Sequence, residues 1–207
     1  MENTEVKVKI EWGVVIKLGL ILFVISAVAA CLLALTNYVT VDTIAQMNEQ
    51  SNIEARQEVL PEASSFEEVP AADLTNIISA AGIASADELP EAYVGMNGSD
   101  IVGYTFKTVP GTGFGGDIEM LTGIYADGTI SGITILTMNE TPGLGVNAEK
   151  PDFKDQYQGL SAQEDVGVSK TGATGNEIQA MTGATITSSA VTDGVNIAIA
   201  AYQQLAE

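Results

Sequence analysis

No histidine occurs in these 207 residues, and cysteine occurs once, at Cys31. Those two absences remove the ligands of zinc sites, of c-type haem attachment and of cysteine-held iron–sulfur clusters, and they rule out His-based catalytic triads. Basic residues are also scarce: 8 Lys and Arg stand against 27 Asp and Glu, a formal net charge of −19. A surface of that sign repels phosphate backbones, which are gripped by Lys and Arg, so nucleic acid is excluded as a partner. The inventory for unaided chemistry is small, with no metal ligands and no catalytic group to single out. With 46% hydrophobic residues, however, the chain can bury the core of one medium domain.

Charge is missing altogether from residues 18–35, an apolar run that Val14, Val15 and Ile16 extend across the single charge of Lys17. A bilayer core needs roughly 20 apolar residues as helix, and Lys17 near one end can snorkel to the headgroups. The expected organisation is therefore a membrane helix over 14–36 in contact with lipid, preceded by residues 1–13. Lys7, Lys9 and Lys17 come before the run and the next basic residue is Arg56, which puts residues 1–13 in the cytoplasm and the body outside it. A cleaved signal peptide and a lipoprotein site at Cys31 are the competing readings. Leu32, Leu33 and Leu35 keep the run apolar past Cys31, which favours a retained single-pass anchor in the cell membrane, with Cys31 a small packing residue.

Beyond the anchor, residues 37–91 read as a helical stalk and linker. Ile44, Met47, Ile53, Val59 and Leu60 have helical spacing that ends at Pro61, residues 61–72 read as linker, and Leu74, Ile77 and Ile78 suggest a short helix. Residues 92–207 are the expected domain. Its first part, 92–138, alternates in the manner of strands broken by Asn97-Gly98 and Asp127-Gly128, the signature of an antiparallel meander. Phe153 and Tyr157 suggest a short helix after Pro151, and Ala190, Val191, Val195, Ala198, Ile199, Tyr202 and Leu205 a long closing one from near Ser188. The class is α+β, an antiparallel sheet with helices covering one face.

Three stretches carry chemistry. The glycine-rich loop 111–116 lacks the Gly-Lys-Ser/Thr of a P-loop, so it is either a flexible connection or a backbone wall against a flat ligand. Residues 140–145, Glu-Thr-Pro-Gly-Leu-Gly, predict a type II turn at a strand end, where Glu140 and Thr141 are placed to reach a ligand. The tetrapeptide Thr-Gly-Ala-Thr occurs at 171–174 and again at 182–185, and only the second copy runs into a helix. Free N–H groups and the positive end of the dipole collect there, so residues 182–189 are either an anion site centred on Thr185 or an ordinary N-cap by Ser or Thr, worth roughly 1 kcal/mol.

Taken in order, the N-terminal anchor, 113–116, 123–128, 140–145 and 182–188 resemble the covalent FMN-binding domain family. More narrowly, they resemble its branch of G subunits from Rnf electron-transport complexes, relatives of the C subunit of the sodium-pumping NADH:quinone reductase. The resemblance implies FMN bonded through its phosphate to the hydroxyl oxygen of Thr185. It also implies that a flavin transferase makes the link from FAD, any magnesium ion belonging to that enzyme. Glu140, Thr141, Leu144, Thr182, Gly183, Ala184 and Ser188 would line the flavin site. Where the family commonly has Asp three residues before the Thr that opens its motif, this chain has Gln179, with Glu177 nearby.

The function so implied is a membrane-anchored electron relay with no complete active site of its own. It would work beside the other membrane and peripheral subunits of an ion-translocating ferredoxin:NAD+ oxidoreductase. A tether fits an acidic chain, whose field disfavours a dianionic phosphate. A surface-anchored flavin carrier without ion pumping shares the same site residues, and an acidic exported domain without cofactor leaves the ordered motifs unexplained.

Overall fold

The computed structural model describes residues 12–206. Lys7 and Lys9, on which the expected orientation of the anchor partly rests, lie outside the described residues. The chain divides into two compact units, the first ending at Glu49 and the second beginning at Gln50.

Among the described residues, the first unit is formed by helix α1, Trp12–Val59, whose last residues belong to the second. It is long and apolar enough to cross a membrane. Leu18, Leu22, Phe23, Ile25, Leu32 and Leu33 on it are all exposed, as lipid-facing residues are. Residues 14–36 and the first part of 37–91 thus lie in one helix. Thr36 and Thr40 hydroxyls fold back onto the carbonyls of Leu32 and Thr36, which satisfies them inside the helix.

The second unit is built on a five-stranded antiparallel meander: β1 (Ser65–Glu68), β2 (Glu91–Asn97), β3 (Asp100–Thr108), β4 (Ile118–Tyr125) and β5 (Ile130–Met138), adjacent in that order. Strand β1 falls inside the expected linker. Its four residues pair with β2 from Ser65 opposite Met96 to Glu68 opposite Tyr93, an edge too short and too acidic to show as a strand by alternation.

Both hairpins form where glycine allows a left-handed backbone. At the first, Gly98 has φ +66° and no non-glycine residue among those described is positive, so the two turn residues are Gly98 and Ser99 rather than Asn97 and Gly98. At the second, Gly128 has φ +84° and its N–H bonds the Tyr125 carbonyl, while the Asp127 carboxylate accepts from Thr129 N–H.

Helix α2 (Ala71–Ala81) and the long α4 (Thr185–Leu205) pack together on one face of this sheet. Phe106, Met120 and Ile124 from the strands meet Val191, Val195, Ala198 and Ile199 from α4 in one apolar core. Gly194 sits at the crossing, where a Cβ would lie 2.7 Å from Met120 Sδ. Helix α3 (Pro151–Lys154) and the 3₁₀ turn after it bring in Phe153 and the fully buried Tyr157, whose hydroxyl bonds Thr192 Oγ1 at 2.7 Å. Burial holds that phenol well above its usual pKa. Strands β6 (Gly167–Ser169) and β7 (Glu177–Gln179) pair in parallel, and Asn196 joins them to α4 by bonding both backbone groups of Val166, the residue before β6.

The opposite face is covered too, contrary to the expectation of helices on one side. Ala55 and Val59 at the end of α1 pack on Leu121, against which the half-buried Leu136 also lies, and Arg56 stacks 3.9 Å over the ring of Tyr93. Ser131 Oγ donates to the Val59 carbonyl. Lys107 on this face bonds Glu119 at 2.7 Å and Glu91 at 3.4 Å. Burial favours its neutral amine, but the two carboxylates outweigh that and hold its pKa above the usual lysine value.

Gly123 is what lets the helix end approach, since a Cβ there would stand 2.4 Å from the Val59 carbonyl oxygen and 2.4 Å from Ser131 Oγ. Its cross-strand partner Gly132 has only Gln158 atoms at 3.8 Å or beyond. Gly123→Ala should cost about 1–3 kcal/mol of stability while Gly132→Ala stays within about 0.5 kcal/mol of the parent, as read by denaturant unfolding in detergent.

Candidate functional site

Two type II turns face each other across a cavity. In the first, Leu144 N–H bonds the Thr141 carbonyl at 3.1 Å and Gly143 holds φ +79°, the turn read from Pro142-Gly143. In the second, Ala184 N–H bonds the Met181 carbonyl at 3.1 Å and Gly183 holds φ +78°. Leu144 lies against Gly183: a Cβ on that glycine would be 3.3 Å from Leu144 Cδ2. The cavity between them, about 340 Å³, is lined by Glu140, Thr141, Leu144, Gly145, Gly183, Ala184 and Thr185, together with Phe114, Ile186 and Thr187.

Glu140 ties the walls together. It follows β5, is only 7% exposed, and both its carboxylate oxygens accept hydrogen bonds. Oε1 takes the Gly115 N–H at 3.2 Å and Oε2 takes the Thr187 hydroxyl at 3.0 Å. Glycine is required where the segments meet. A Cβ at Gly115 would fall 1.8 Å from the Asn139 carbonyl oxygen, and one at Gly145 would fall 2.5 Å from Glu140 Oε2 and 2.7 Å from Thr187 Oγ1. Of the loop 111–116, Phe114 lines the cavity, and the Gly115 N–H ties the loop to Glu140.

Helix α4 begins at Thr185, three residues earlier than its apolar periodicity indicates. Its N-cap is Ala184, which has no side-chain acceptor, so the ordinary Ser/Thr cap is absent. The first bond of the helix runs from Ser188 N–H to the Ala184 carbonyl, which leaves the N–H groups of Thr185, Ile186 and Thr187 ahead of the ladder. The Thr185 hydroxyl also has no protein partner among the described residues, in contrast to that of Thr187.

Of the residues singled out in the sequence, six line this cavity and two do not. Thr182 is exposed at the turn, outside the lining. Ser188 is fully buried, with Oγ donating to the Ala184 carbonyl and accepting from Met181 N–H, so it locks the turn onto the helix from behind. Phe114 and Ile186, 69% and 54% exposed, form an apolar rim with Leu144 that composition does not single out. Phe114 is legible only as the one large side chain among the four glycines of 111–116.

The other copy of the tetrapeptide is a different structure. Residues 171–174 lie in the loop between β6 and β7, and the Glu177 carboxylate accepts from both the backbone N–H and the hydroxyl of Thr174, at 3.2 and 3.4 Å. Glu177 thus braces the first copy. Gln179 is exposed at the end of β7 and lines a neighbouring cavity with Lys150, Asp152 and Gln156.

The class of the domain follows from its family match: it is an FMN-binding domain. The family described as "FMN-binding domain" matches residues 113–200, which contain every residue lining the cavity, and the family "RnfG N-terminal region" matches residues 14–59. The chain is 57% identical to the G subunit of the Na(+)-translocating ferredoxin:NAD(+) oxidoreductase complex of Acetobacterium woodii, over 99% of this chain and 100% of the relative. It is 34% identical to the G subunit of the ion-translocating oxidoreductase complex of Methanosarcina acetivorans, over 85% and 88%. The crystal structure of the C subunit of the Na(+)-translocating NADH-quinone reductase from Parabacteroides distasonis shares the fold, with a TM-score of 0.52 at 21% identity over 70% of this chain and 78% of that one. The chain belongs to the G subunits of Rnf-type ion-translocating oxidoreductase complexes.

The hydrogen bond between Glu140 and Thr187 offers a direct check. Thr187→Val leaves a buried carboxylate oxygen without its donor and should cost about 1–3 kcal/mol, whereas Thr187→Ser, which keeps the hydroxyl, should recover most of that in the same unfolding measurement.

Proposed function

We propose that this chain is the membrane-anchored flavoprotein subunit through which electrons pass within an ion-translocating ferredoxin:NAD+ oxidoreductase complex. Its FMN is held by a phosphoester to Thr185 Oγ1, and a flavin transferase forms that bond using FAD. Bound FMN supplies the reversible electron chemistry that the side chains of this protein lack.

The observation that carries this reading is the position of Thr185. It is the first residue of α4, it lines the cavity, and its hydroxyl is unengaged by protein, whereas the hydroxyl of Thr174 is taken up by Glu177. The N–H groups at the start of α4 suit a phosphate. The apolar rim of Phe114, Leu144 and Ile186 suits a flat aromatic ring, and the volume falls within the roughly 300–1,000 Å³ of small-molecule sites. The residues present fit the ring, and they fit the phosphate in its threonyl ester form.

Each part of the chain then has a distinct task. Thr185 fixes the cofactor covalently, Glu140 and the glycines at 113, 115 and 145 hold the cavity walls, and the rim excludes water from the bound ring. Helix α1 anchors the protein in lipid, crossing once, with residues 1–13 in the cytoplasm and the flavin domain outside. The other subunits of the complex deliver and remove electrons.

Mass spectrometry tests the attachment. No Lys or Arg follows Lys170, so the tryptic peptide 171–207 contains both Thr174 and Thr185, and fragmentation or a chymotryptic digest is needed to separate them. In protein from a host with the flavin transferase, the FMN adduct should sit on Thr185. Thr185→Ala should lose its flavin on dialysis, and Thr174→Ala should keep it. A mass shift on Thr174, or an unmodified peptide, would overturn the assignment.

Topology is tested separately. In a Cys31→Ser background, Asp100→Cys in the first hairpin should react with a membrane-impermeant maleimide added to intact cells stripped of any outer membrane or wall. Labelling only after the cells are broken would place the domain on the cytoplasmic side.

A further inference from the structure

The cavity is electrostatically mismatched to the very anion assigned to it. Of its ten lining residues none is Lys or Arg, and the only charged one is Glu140. That side chain is 7% exposed and accepts hydrogen bonds on both oxygens, the pattern of a carboxylate anion. Through Thr187 it sits at the positive end of α4, so it already uses the field that a phosphate would seek, and through Gly115 it consumes a further N–H donor. Lys150 lies in the neighbouring cavity, beside Asp152. A helix start offers about half a positive charge, less than one buried carboxylate cancels.

Free FMN is a phosphate monoester that carries about 1.5 to 2 negative charges near neutral pH, whereas the same phosphate esterified to a threonine is a diester with one. Attachment itself therefore removes part of the repulsion. Riboflavin, the flavin without a phosphate, meets none of it.

Building on the FMN assignment above, we infer that Glu140 is a specificity-determining residue that makes the unmodified cavity favour uncharged riboflavin over free FMN, so that the phosphate is held there only as the threonyl diester. The chain before modification is then a poor FMN binder, and occupancy by the nucleotide depends on the transferase rather than on affinity.

The test uses the full-length chain made without flavin transferase, purified in detergent and titrated with riboflavin and with FMN by flavin fluorescence. At low ionic strength riboflavin should bind more tightly than FMN by about tenfold, and added salt should narrow that gap by strengthening FMN binding alone. Glu140→Gln should close most of the difference, read as the ratio of the two affinities so that any loosening of the cavity walls, which affects both flavins, cancels. Ile186→Lys adds a cation at the exposed rim without touching the buried hydrogen bonds, and should turn the preference toward FMN. Tighter binding of FMN by the parent chain, no binding of riboflavin, or a gap that neither variant changes would overturn the inference. A missing adduct on Thr185 in modified protein would instead overturn the covalent reading, so the two failures are separable.

Discussion

One carboxylate braces the functional end of this domain. Glu140 reaches back 25 residues to the backbone of Gly115 and forward 47 residues to the hydroxyl of Thr187, so a glycine loop, a strand end and the first turn of a helix share one buried acceptor. A buried carboxylate that lost either donor would carry an uncompensated desolvation cost, which makes the three segments mutually dependent. Glycines at 113, 115 and 145 are the complement of that arrangement, since each lies where a Cβ would collide with Glu140 or with the backbone beside it.

The rest of the domain keeps Thr185 still. Helix α4 is pinned to the sheet by an apolar core under Val191, Val195 and Ile199, to the 3₁₀ turn by Thr192 and Tyr157, and to the segment entering β6 by Asn196. A site carried on a long packed helix holds its geometry better than one carried on a loop. The chain contributes placement and enclosure, and the redox chemistry comes from what it carries.

Much of this is legible in the sequence, and the exceptions have physical reasons. Period-two alternation marks the four longer strands, and Gly128 with its Asp127 neighbour marks the second hairpin. Strand β1 escapes that pattern because Ser65, Phe66, Glu67 and Glu68 form an edge whose pairing comes from β2, not from its own apolar spacing. The Asn97-Gly98 signal locates its hairpin but misplaces the turn by one residue, since Gly98 alone supplies the positive φ. At the site, Glu140, Thr141, Leu144, Gly183, Ala184 and Thr185 are legible as motifs. Ser188 lies outside the cavity lining, because a hydroxyl on the first turn of a helix can point inward and cap the preceding turn as easily as outward. Ile186 gives no signal, and Phe114 only that of a large side chain among glycines, because isolated apolar residues are ordinary until folding brings them to one rim.

The last turn of α1 is as much a part of the domain as of the anchor. Ala55, Arg56 and Val59 fill the sheet face that α4 leaves open, and Gly123 and Ser131 are shaped to receive them. Severing the chain at Pro61 would therefore strip a lid from Leu121 and Tyr93 and leave a greasy, half-built surface prone to self-association. A soluble fragment should instead keep the helix from about Gln50 onward, where the compact unit itself begins. The end of α1 is in this sense built into the second unit, and obtaining that unit intact requires cutting inside a helix rather than at a loop.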